Sequence, residues 1–377
     1  MFNKVRFSKS LFALFLLFAV NVAYCHSVTN EILHTDIISS IGPGSFRETD
    51  DLLFNTDIVR LNFSHDTHVE HASNFSRVNS WSLTHNKPVA VMADLQGPKI
   101  RLGNFSNKEV HVHRGDIFTL STDTSITGDQ SRVSVDYPFL VNDVVHGDVL
   151  VIGDNLVNLK VLQADDGEIV CEVLNDAVIG SRKGINKVGG GISAPAFTEK
   201  DKADLTMALS MGVDYVAVSF VKSAQDILVV KKQINQLQSS AKVVAKIETR
   251  EALDNLESII EAADLVMVAR GDLGIEMGIV QVPFLQKKII QMARSYGKKV
   301  IVATQMMSSM MTNPTPTRAE VSDIANAVYD GADMIMFSEE TAVGKYPALV
   351  VQIAREIIRS AEGSAENLAG LLHSNAR

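Results

Sequence analysis

Cysteine is scarce in this sequence: Cys25 and Cys171 are the two in 377 residues. Two isolated cysteines supply neither a zinc spacing nor a disulfide framework, and Cys171 reads as a small apolar residue. Lys/Arg-rich runs are missing, and the formal net charge is −9. A general nucleic-acid binder needs a basic footprint, so that class is excluded, although local basic residues can still focus an anionic substrate. No Gly-x-Gly-x-x-Gly follows an apolar run, which counts against a dinucleotide-binding open sheet. His65 and His68 have no His-x-x-x-His spacing and are not read as metal ligands. After the first 25 residues nothing is apolar enough to span a bilayer.

What is present is 46% apolar and 21% charged residues, the balance of a globular chain with one large domain and a smaller one. Residues 1–25 stand apart, with Lys4, Arg6 and Lys9 ahead of an apolar run from Leu11 to Val20 and then Ala23 and Cys25. That order matches a secretory signal, and an N-terminal extension is the other reading.

Eight short β-branched runs fall near 36–41, 57–63, 88–94, 213–219, 242–247, 264–269, 299–303 and 333–337. Segments of helical period lie between most of them. Thr198 with Asp201 and Thr317 with Glu320 form capping boxes, and Gly212 and Gly331 act as stops. Strands alternating with amphipathic helices predict a parallel sheet, and eight units in roughly 250 residues predict a closed (β/α)8 barrel. A doubly wound sheet is the competing architecture. Residues 105–189 break this rhythm with alternating runs and turn signals, and read as a small all-β domain inserted after the third barrel strand. Placed in a βα loop it would hang over the mouth as a lid, with Gly189-Gly190-Gly191 as its hinge. The expected division is 1–25 as signal or extension, 30–104 and 190–362 as barrel, 105–189 as lid and 363–377 as tail.

Polar residues fall where the apolar runs end. Arg60, Asn62 and Ser64 follow one, Asp94 another, Lys246 and Glu248 a third, Asp272 a fourth, Thr304 a fifth, and Ser338, Glu339 and Glu340 a sixth. Such groups are rarely buried unless paired or metal-bound, so six occurrences suggest one site built by several parallel strands. Glu248 and Asp272 suit Mg²⁺ or Mn²⁺; the plain alternative is a pair of structural ion pairs. Lys246, two residues before Glu248, shares its strand face and can stabilise a transferring phosphoryl group. A Schiff-base lysine is the rival chemistry, and adjacent carboxylates count against it. Arg60 can clamp phosphate or carboxylate. Asn62, Ser64 and Asp94 form an oxygen-rich cluster able to take a second cation, or a hydrogen-bonded strand end without one. The glycines of Arg270-Gly271-Asp272-Leu273-Gly274 expose backbone N–H groups that can hold an anion, or make an ordinary tight turn. Met306, Met307, Met310 and Met311 read as packing.

Taken together, Ser40-Ile41-Gly42-Pro43, Arg60-Leu61-Asn62-Phe63-Ser64-His65, Asp94 through Arg101, Lys246-Ile247-Glu248, Ala269 through Gly274, Ala303-Thr304-Gln305-Met306 and Pro316 through Glu320 resemble the pyruvate kinase family in order and spacing. The resemblance covers about residues 35–362. It implies a TIM barrel with a β-rich lid, and phosphoryl transfer from phosphoenolpyruvate to ADP, giving pyruvate and ATP in glycolysis. It further implies that Glu248 and Asp272 ligate Mg²⁺ and that Lys246 stabilises the phosphoryl group. Arg60 would hold the phosphate, and Gly271, Asp272 and Thr304 the carboxylate of phosphoenolpyruvate. Asn62, Ser64, Asp94 and the Leu95 carbonyl match a potassium site. Arg101, His65 and Lys183, with Asn62 beside them, match nucleotide contacts. Ser338 and Glu340 match the family's Ser-x-Glu-Thr.

Departures set further expectations. Lys99 stands where potassium-dependent members carry Glu, and its ammonium is expected to replace the ion, which predicts weak or absent K⁺ dependence. Asp36 and Glu339 replace a usual lysine and glycine. Family members usually continue into a third, C-terminal domain; this sequence is expected to lack it, which leaves homo-oligomerisation and effector control open. Cytosolic ADP implies a cytoplasmic enzyme, whereas the signal-like segment implies export. Sequons at Asn62, Asn74 and Asn104 would conflict with activity on a glycosylating route. The competing functions are another Mg²⁺-dependent barrel enzyme of phosphoenolpyruvate or oxaloacetate, and a catalytically weak relative kept as a binding or regulatory protein. No membrane partner is expected once the segment is removed.

Overall fold

The computed structural model describes residues 33–153 and 156–374. The signal-like segment and the last three residues of the expected tail lie outside them. Eight strands form the barrel: β1 (Asp36–Ser40), β2 (Ile58–Asn62), β3 (Ala90–Asp94), β4 (Tyr215–Val218), β5 (Lys242–Ile247), β6 (Leu265–Ala269), β7 (Lys299–Ala303) and β8 (Met334–Phe337). They close in the order β1-β8-β7-β6-β5-β4-β3-β2, every neighbour parallel. Closure excludes the doubly wound sheet.

Local chemistry explains the alternation. β6 is buried at all five positions, which suits a strand covered on both faces. Helices then start and stop on short polar signals. Capping boxes hold the N-termini at Thr67, Thr198 and Thr317, and Gly212 and Gly331 end their helices in the left-handed region. Inside the barrel, Ile38, Met92, Val244, Met267, Ile301 and Met336 pack together as a dense core. At the opposite end from the mouth, the Asp57 carboxylate accepts Ile37 N–H at 2.8 Å and pairs with Arg355 at 2.5 Å. This ties β1, the start of β2 and the helix Pro347–Ser374 together. That helix runs twelve residues past the expected barrel end at 362, up to Ser374.

Between β3 and the helix Glu199–Met211 lies a seven-stranded sheet with its own core, including Phe118, Leu120, Leu150, Ile169 and Cys171. A two-stranded ladder, Glu109–Val112 with Ala177–Gly180, lies beside it. The sheet takes in Ile100–Arg101, ahead of the expected start at 105, because these residues pair with Ile185 and Gly184. Cys171 is fully buried, and burial pushes its thiol up to about 12, which leaves it a packing residue. Because the insertion leaves from the C-terminal end of β3, its sheet stands at the mouth. Among the described residues no helix is long and apolar enough to cross a membrane.

Truncating the buried Met267 leaves a void between strands that cannot collapse. Met267→Ala is expected to lower the unfolding free energy by about 2–5 kcal/mol, read from urea denaturation with an unchanged slope.

Candidate active site

The mouth is organised around charges that have left water. Asp94, at the end of β3, has 1% of its side chain exposed. A carboxylate that deep survives only with partners. Arg60 from β2 donates Nε to Asp94 Oδ2 at 2.7 Å, and Lys246 from β5 places Nζ 3.3 Å from Oδ1. The second contact is an ion pair without hydrogen-bond alignment, and Oδ1 has no hydrogen-bond donor of its own. Burial pushes the Asp94 carboxyl upward, but Lys246 and Arg60 together outweigh it and hold it below the usual carboxylate range. Lys246 mirrors this: burial opposes its charge, while Asp94 and Glu248 outweigh burial and hold its pKa above the usual lysine value. The ammonium therefore stays protonated, which removes the free amine that Schiff-base chemistry requires.

Period-two geometry brings Glu248 to the same face, 3.6 Å from Lys246 Nζ. Glu248 Oε1 accepts the Phe220 N–H at 2.7 Å. Burial raises Glu248 to about 7 against the pull of Lys246, and the charge of Asp272 adds to the rise. The lysine is shared with Asp94, so the carboxyl pair of Glu248 and Asp272 is short of positive charge. No cluster of three or more His, Cys, Asp or Glu with metal-holding geometry occurs among the described residues. Two hard carboxylates fit Mg²⁺ or Mn²⁺, which keep several waters and recruit substrate oxygens.

Two contributors at this site carry no motif signal. Ser219, just past β4, is 2% exposed; its hydroxyl accepts from Lys246 Nζ at 2.6 Å and donates to the Leu95 carbonyl at 2.7 Å. Asn186, from the inserted strand Gly184–Lys187, donates Nδ2 to Asp272 Oδ1 at 2.8 Å. The position of Ser219 at a strand end was the available signal; that of Asn186 exists only once the insertion is folded over the barrel. The hinge is held to the barrel too. Gly189, Gly190 and Gly191 have φ of 83°, 76° and 89°. Gly191 N–H donates to Glu251 Oε1 at 2.6 Å, and a Cβ on Gly190 would lie 2.7 Å from Glu251 Oε2. Lys222 Nζ donates to the carbonyls of Ile192 and Ala194.

On the far side, Asp272 opens the helix Arg270–Met277, whose first N–H groups point toward the mouth. Arg270 donates Nη2 to the Thr304 carbonyl at 2.8 Å and Nη1 to Asp323 Oδ1 at 2.9 Å. Thr304 sits at φ 79°, strained for a β-branched residue, and Gln305 follows at φ 56°. A Cβ on Gly271 would stand 3.0 Å from Thr304 Cγ2, so the Gly271 backbone lies close against the Thr304 side chain. Ser338 and Glu340 brace this turn: Glu340 accepts Ser338 N–H at 2.8 Å and Met307 N–H at 3.2 Å. Met306, Met307 and Met310 are buried packing.

The remaining candidates are more dispersed. Asn62 Oδ1 accepts Ser64 N–H at 3.2 Å, beside Asp94 across the β2–β3 register. His65 is partly buried, and burial followed by the Arg101 charge holds its pKa below the ordinary value, so His65 and Arg101 share a neighbourhood. Lys183 lies along Gly153 and Gly180 of the inserted sheet. Lys99 lies against Gly184, in a cleft lined by Asn186, Phe220, Lys222 and Glu276, and is absent from the ion pairs of Asp94.

Eight parallel strands with charged residues gathered at their C-terminal ends define a (β/α)8-barrel enzyme. A family model described as the pyruvate kinase barrel domain matches residues 32–351. A pyruvate kinase of Haemophilus influenzae is 42% identical over 342 residues, covering 89% of this chain and 72% of the relative. One from Mycobacterium tuberculosis is 44% identical with the same coverage. The crystal structure of a pyruvate kinase from Cryptosporidium parvum matches with TM-score 0.84 at 35% identity, covering 91% of this chain and 72% of the other. The chain belongs to the pyruvate kinase family, and its activity is that of this family of glycolytic phosphotransferases.

Ser219→Ala removes the hydroxyl that orients Lys246 but leaves its charge. A hydrogen bond to a charged group is worth roughly 1.5–3 kcal/mol, so kcat is expected to fall about 10- to 100-fold. Steady-state assays of pyruvate release would show this, with thermal melting confirming an intact fold.

Proposed function

We propose that the chain moves the phosphoryl group of phosphoenolpyruvate to ADP, with Lys246 and Arg60 neutralising the transferring group. The carrying observation is the placement of Lys246 Nζ, 2.6 Å from Ser219 Oγ, 3.3 Å from Asp94 and 3.6 Å from Glu248. Phosphoryl transfer demands positioning and charge neutralisation more than covalent chemistry. Arg60 is held by Asp94 and by Ser40 Oγ at 3.0 Å, which fixes the guanidinium plane toward the phosphate. The N–H groups of Gly271 and Asp272, with Thr304, hold the carboxylate of phosphoenolpyruvate. When the phosphorus–oxygen bond breaks, an ADP oxygen takes the phosphoryl group and the enolate left behind takes a proton to become pyruvate.

Glu248 and Asp272 would hold the Mg²⁺ or Mn²⁺, which when bound draws phosphate and substrate oxygens together and offsets their charge. Asn62, His65, Arg101 and Lys183 meet the nucleotide. Asn62, Ser64, Asp94 and the Leu95 carbonyl form the oxygen set that matches a potassium site. The Asp94 charge is already balanced by Arg60 and Lys246, and the Leu95 carbonyl already accepts from Ser219. These occupied partners, with the cationic Lys99 nearby in sequence, support little dependence on K⁺.

We take the inserted sheet, which begins at Ile100–Arg101 and ends with Gly184–Lys187, as a lid on the barrel that closes through Asn186. Ile279, Val280 and Phe284 are 72%, 84% and 64% exposed at the start of one helix, which supports a homo-oligomer. The use of ADP supports a cytoplasmic place of action.

Two measurements test this reading. Pyruvate formation from phosphoenolpyruvate and ADP is expected to need Mg²⁺, to change little when Na⁺ replaces K⁺, and to vanish in Lys246→Met. An active Lys246→Met enzyme would refute the assignment. Mg²⁺ is expected to raise the melting temperature of the wild type and to lose most of that effect in Glu248→Gln, since a ligand that binds only the folded state stabilises it.

A further inference from the structure

Two loops carry the nucleotide half of the site: Phe63–Thr67 after β2, with Ser64 and His65, and Leu95–Lys99 after β3, leading to Arg101. Both are connecting segments, and neither is fixed by the barrel ladder alone. The chain that grips them is the first turn of the helix Glu199–Met211, entered directly on leaving the insertion.

Asp204 is 3% exposed. Its Oδ1 meets His68 Nε2 at 2.7 Å, and its Oδ2 meets Lys200 Nζ at 2.5 Å. The same Lys200 Nζ donates to the Phe63 carbonyl at 2.7 Å. One buried carboxylate thereby holds both ends of the β2 loop, Phe63 through Lys200 and His68 directly. The middle is pinned by His71, whose ring stacks on Phe63 with centroids 4.0 Å apart and whose Nε2 lies 3.0 Å from the His65 carbonyl. Three residues before Asp204, Asp201 is 1% exposed. Its Oδ2 caps the helix through Thr198, while its Oδ1 accepts Gly97 N–H at 3.0 Å. Gly97 has φ 66°, and a Cβ there would lie 2.9 Å from Phe220 and 3.0 Å from Ser219. The β3 loop is therefore held between Asp201 and the residues that orient Glu248 and Lys246.

Helix packing does not demand these groups. Leu205 and Ala208 of the same helix are fully buried and supply the apolar face. Buried carboxylates at two neighbouring positions are costly unless they are paired, and besides Thr198 and Lys200 of their own helix these two reach Gly97 on the β3 loop and His68 at the end of the β2 loop. We propose that Lys200, Asp201 and Asp204 form a positioning element that sets the two nucleotide-side loops in register with each other. This rests on the reading of His65 and Arg101 as nucleotide contacts. None of the three residues touches substrate; they act through the loops. Their grip is on the loops beyond β2 and β3, whereas Lys246, Asp272 and Thr304 stand at the ends of β5 to β7 and Arg60 is held within the β2 ladder by Asp94 and Ser40, so the phosphoenolpyruvate side is left in place when the grip loosens.

The experiment measures ADP and phosphoenolpyruvate binding by calorimetry, and both KM values, for the wild type, Asp204→Asn, Lys200→Met and Lys200→Arg. Lys200 is the safer probe for folding, since its side chain is 49% exposed. Loss of one charge-assisted hydrogen bond corresponds to roughly a 10-fold change in affinity. ADP affinity is expected to weaken about that much in Asp204→Asn and Lys200→Met, with phosphoenolpyruvate affinity within about twofold of wild type. Lys200→Arg, which keeps a donor for Phe63, should restore ADP binding. Parallel weakening of both substrates, or unchanged ADP affinity in both variants, would overturn the inference while leaving the proposed function intact. A folded wild type that binds no ADP would instead overturn the reading of the site, and this inference with it.

Discussion

The mouth of this barrel depends on the neutralisation of one buried carboxylate. Asp94 is almost fully buried, and its charge is held by Arg60 from the neighbouring β2 at 2.7 Å and by Lys246 from β5, two strands away, at 3.3 Å. That contact decides other features. It keeps Lys246 cationic, it fixes the guanidinium of Arg60, and it leaves Glu248 with only a share of a lysine. Burial raises Glu248 to about 7 against the pull of Lys246, and the charges of Asp272 and Asp94 add to the rise. The site thus stands ready for added positive charge at Glu248 and Asp272, while the Asp94 side is already balanced. A parallel barrel makes this possible because side chains at the C-terminal strand ends converge although their residues lie far apart in sequence.

Ile192 packs against the core of the inserted sheet, and the other ties between the sheet and this centre are polar. Asn186 reaches Asp272, Glu251 takes Gly191 N–H, and Lys222 takes two carbonyls of the segment beyond the hinge. Three successive glycines with positive φ allow the chain to turn there, and hydrogen bonds can exchange in a way that a packed apolar seam cannot. The insertion keeps its own core, so it can move as a body without disturbing the barrel. On returning, the chain immediately grips the β2 and β3 loops through Lys200, Asp201 and Asp204. The lid and the nucleotide-side loops are therefore consecutive along one short stretch.

Much of the architecture was legible in the residues. The eight apolar runs, the capping boxes at Thr198 and Thr317 and the glycine stops at Gly212 and Gly331 correspond closely to observed elements, because each rests on chemistry within a few residues. Lys246 and Glu248 were legible as a pair, since strand periodicity places them on one face. Ser219 was harder: a serine after an apolar run usually satisfies only local backbone, and its contacts to Lys246 and Leu95 cross three strands. The surroundings of Lys99 were not legible either: its side chain lies along Gly184, because the start of the insertion pairs with that strand and carries Lys99 with it.

By itself, then, the sequence determined the alternation of strand and helix, the insertion after the third strand and the family to which the chain belongs. These follow from local periodicity, from caps and from a run of motifs in fixed order. Only the tertiary structure decided which charges meet. It placed Asp94 between two cations, gave Lys246 a serine partner, set Asn186 on Asp272 and put two loops under the control of Asp201 and Asp204. The physical reason is that burial and Coulomb interactions depend on distances across the fold, and partners on different strands and loops, 27 to 136 residues apart in these hydrogen bonds, leave no trace in local pattern.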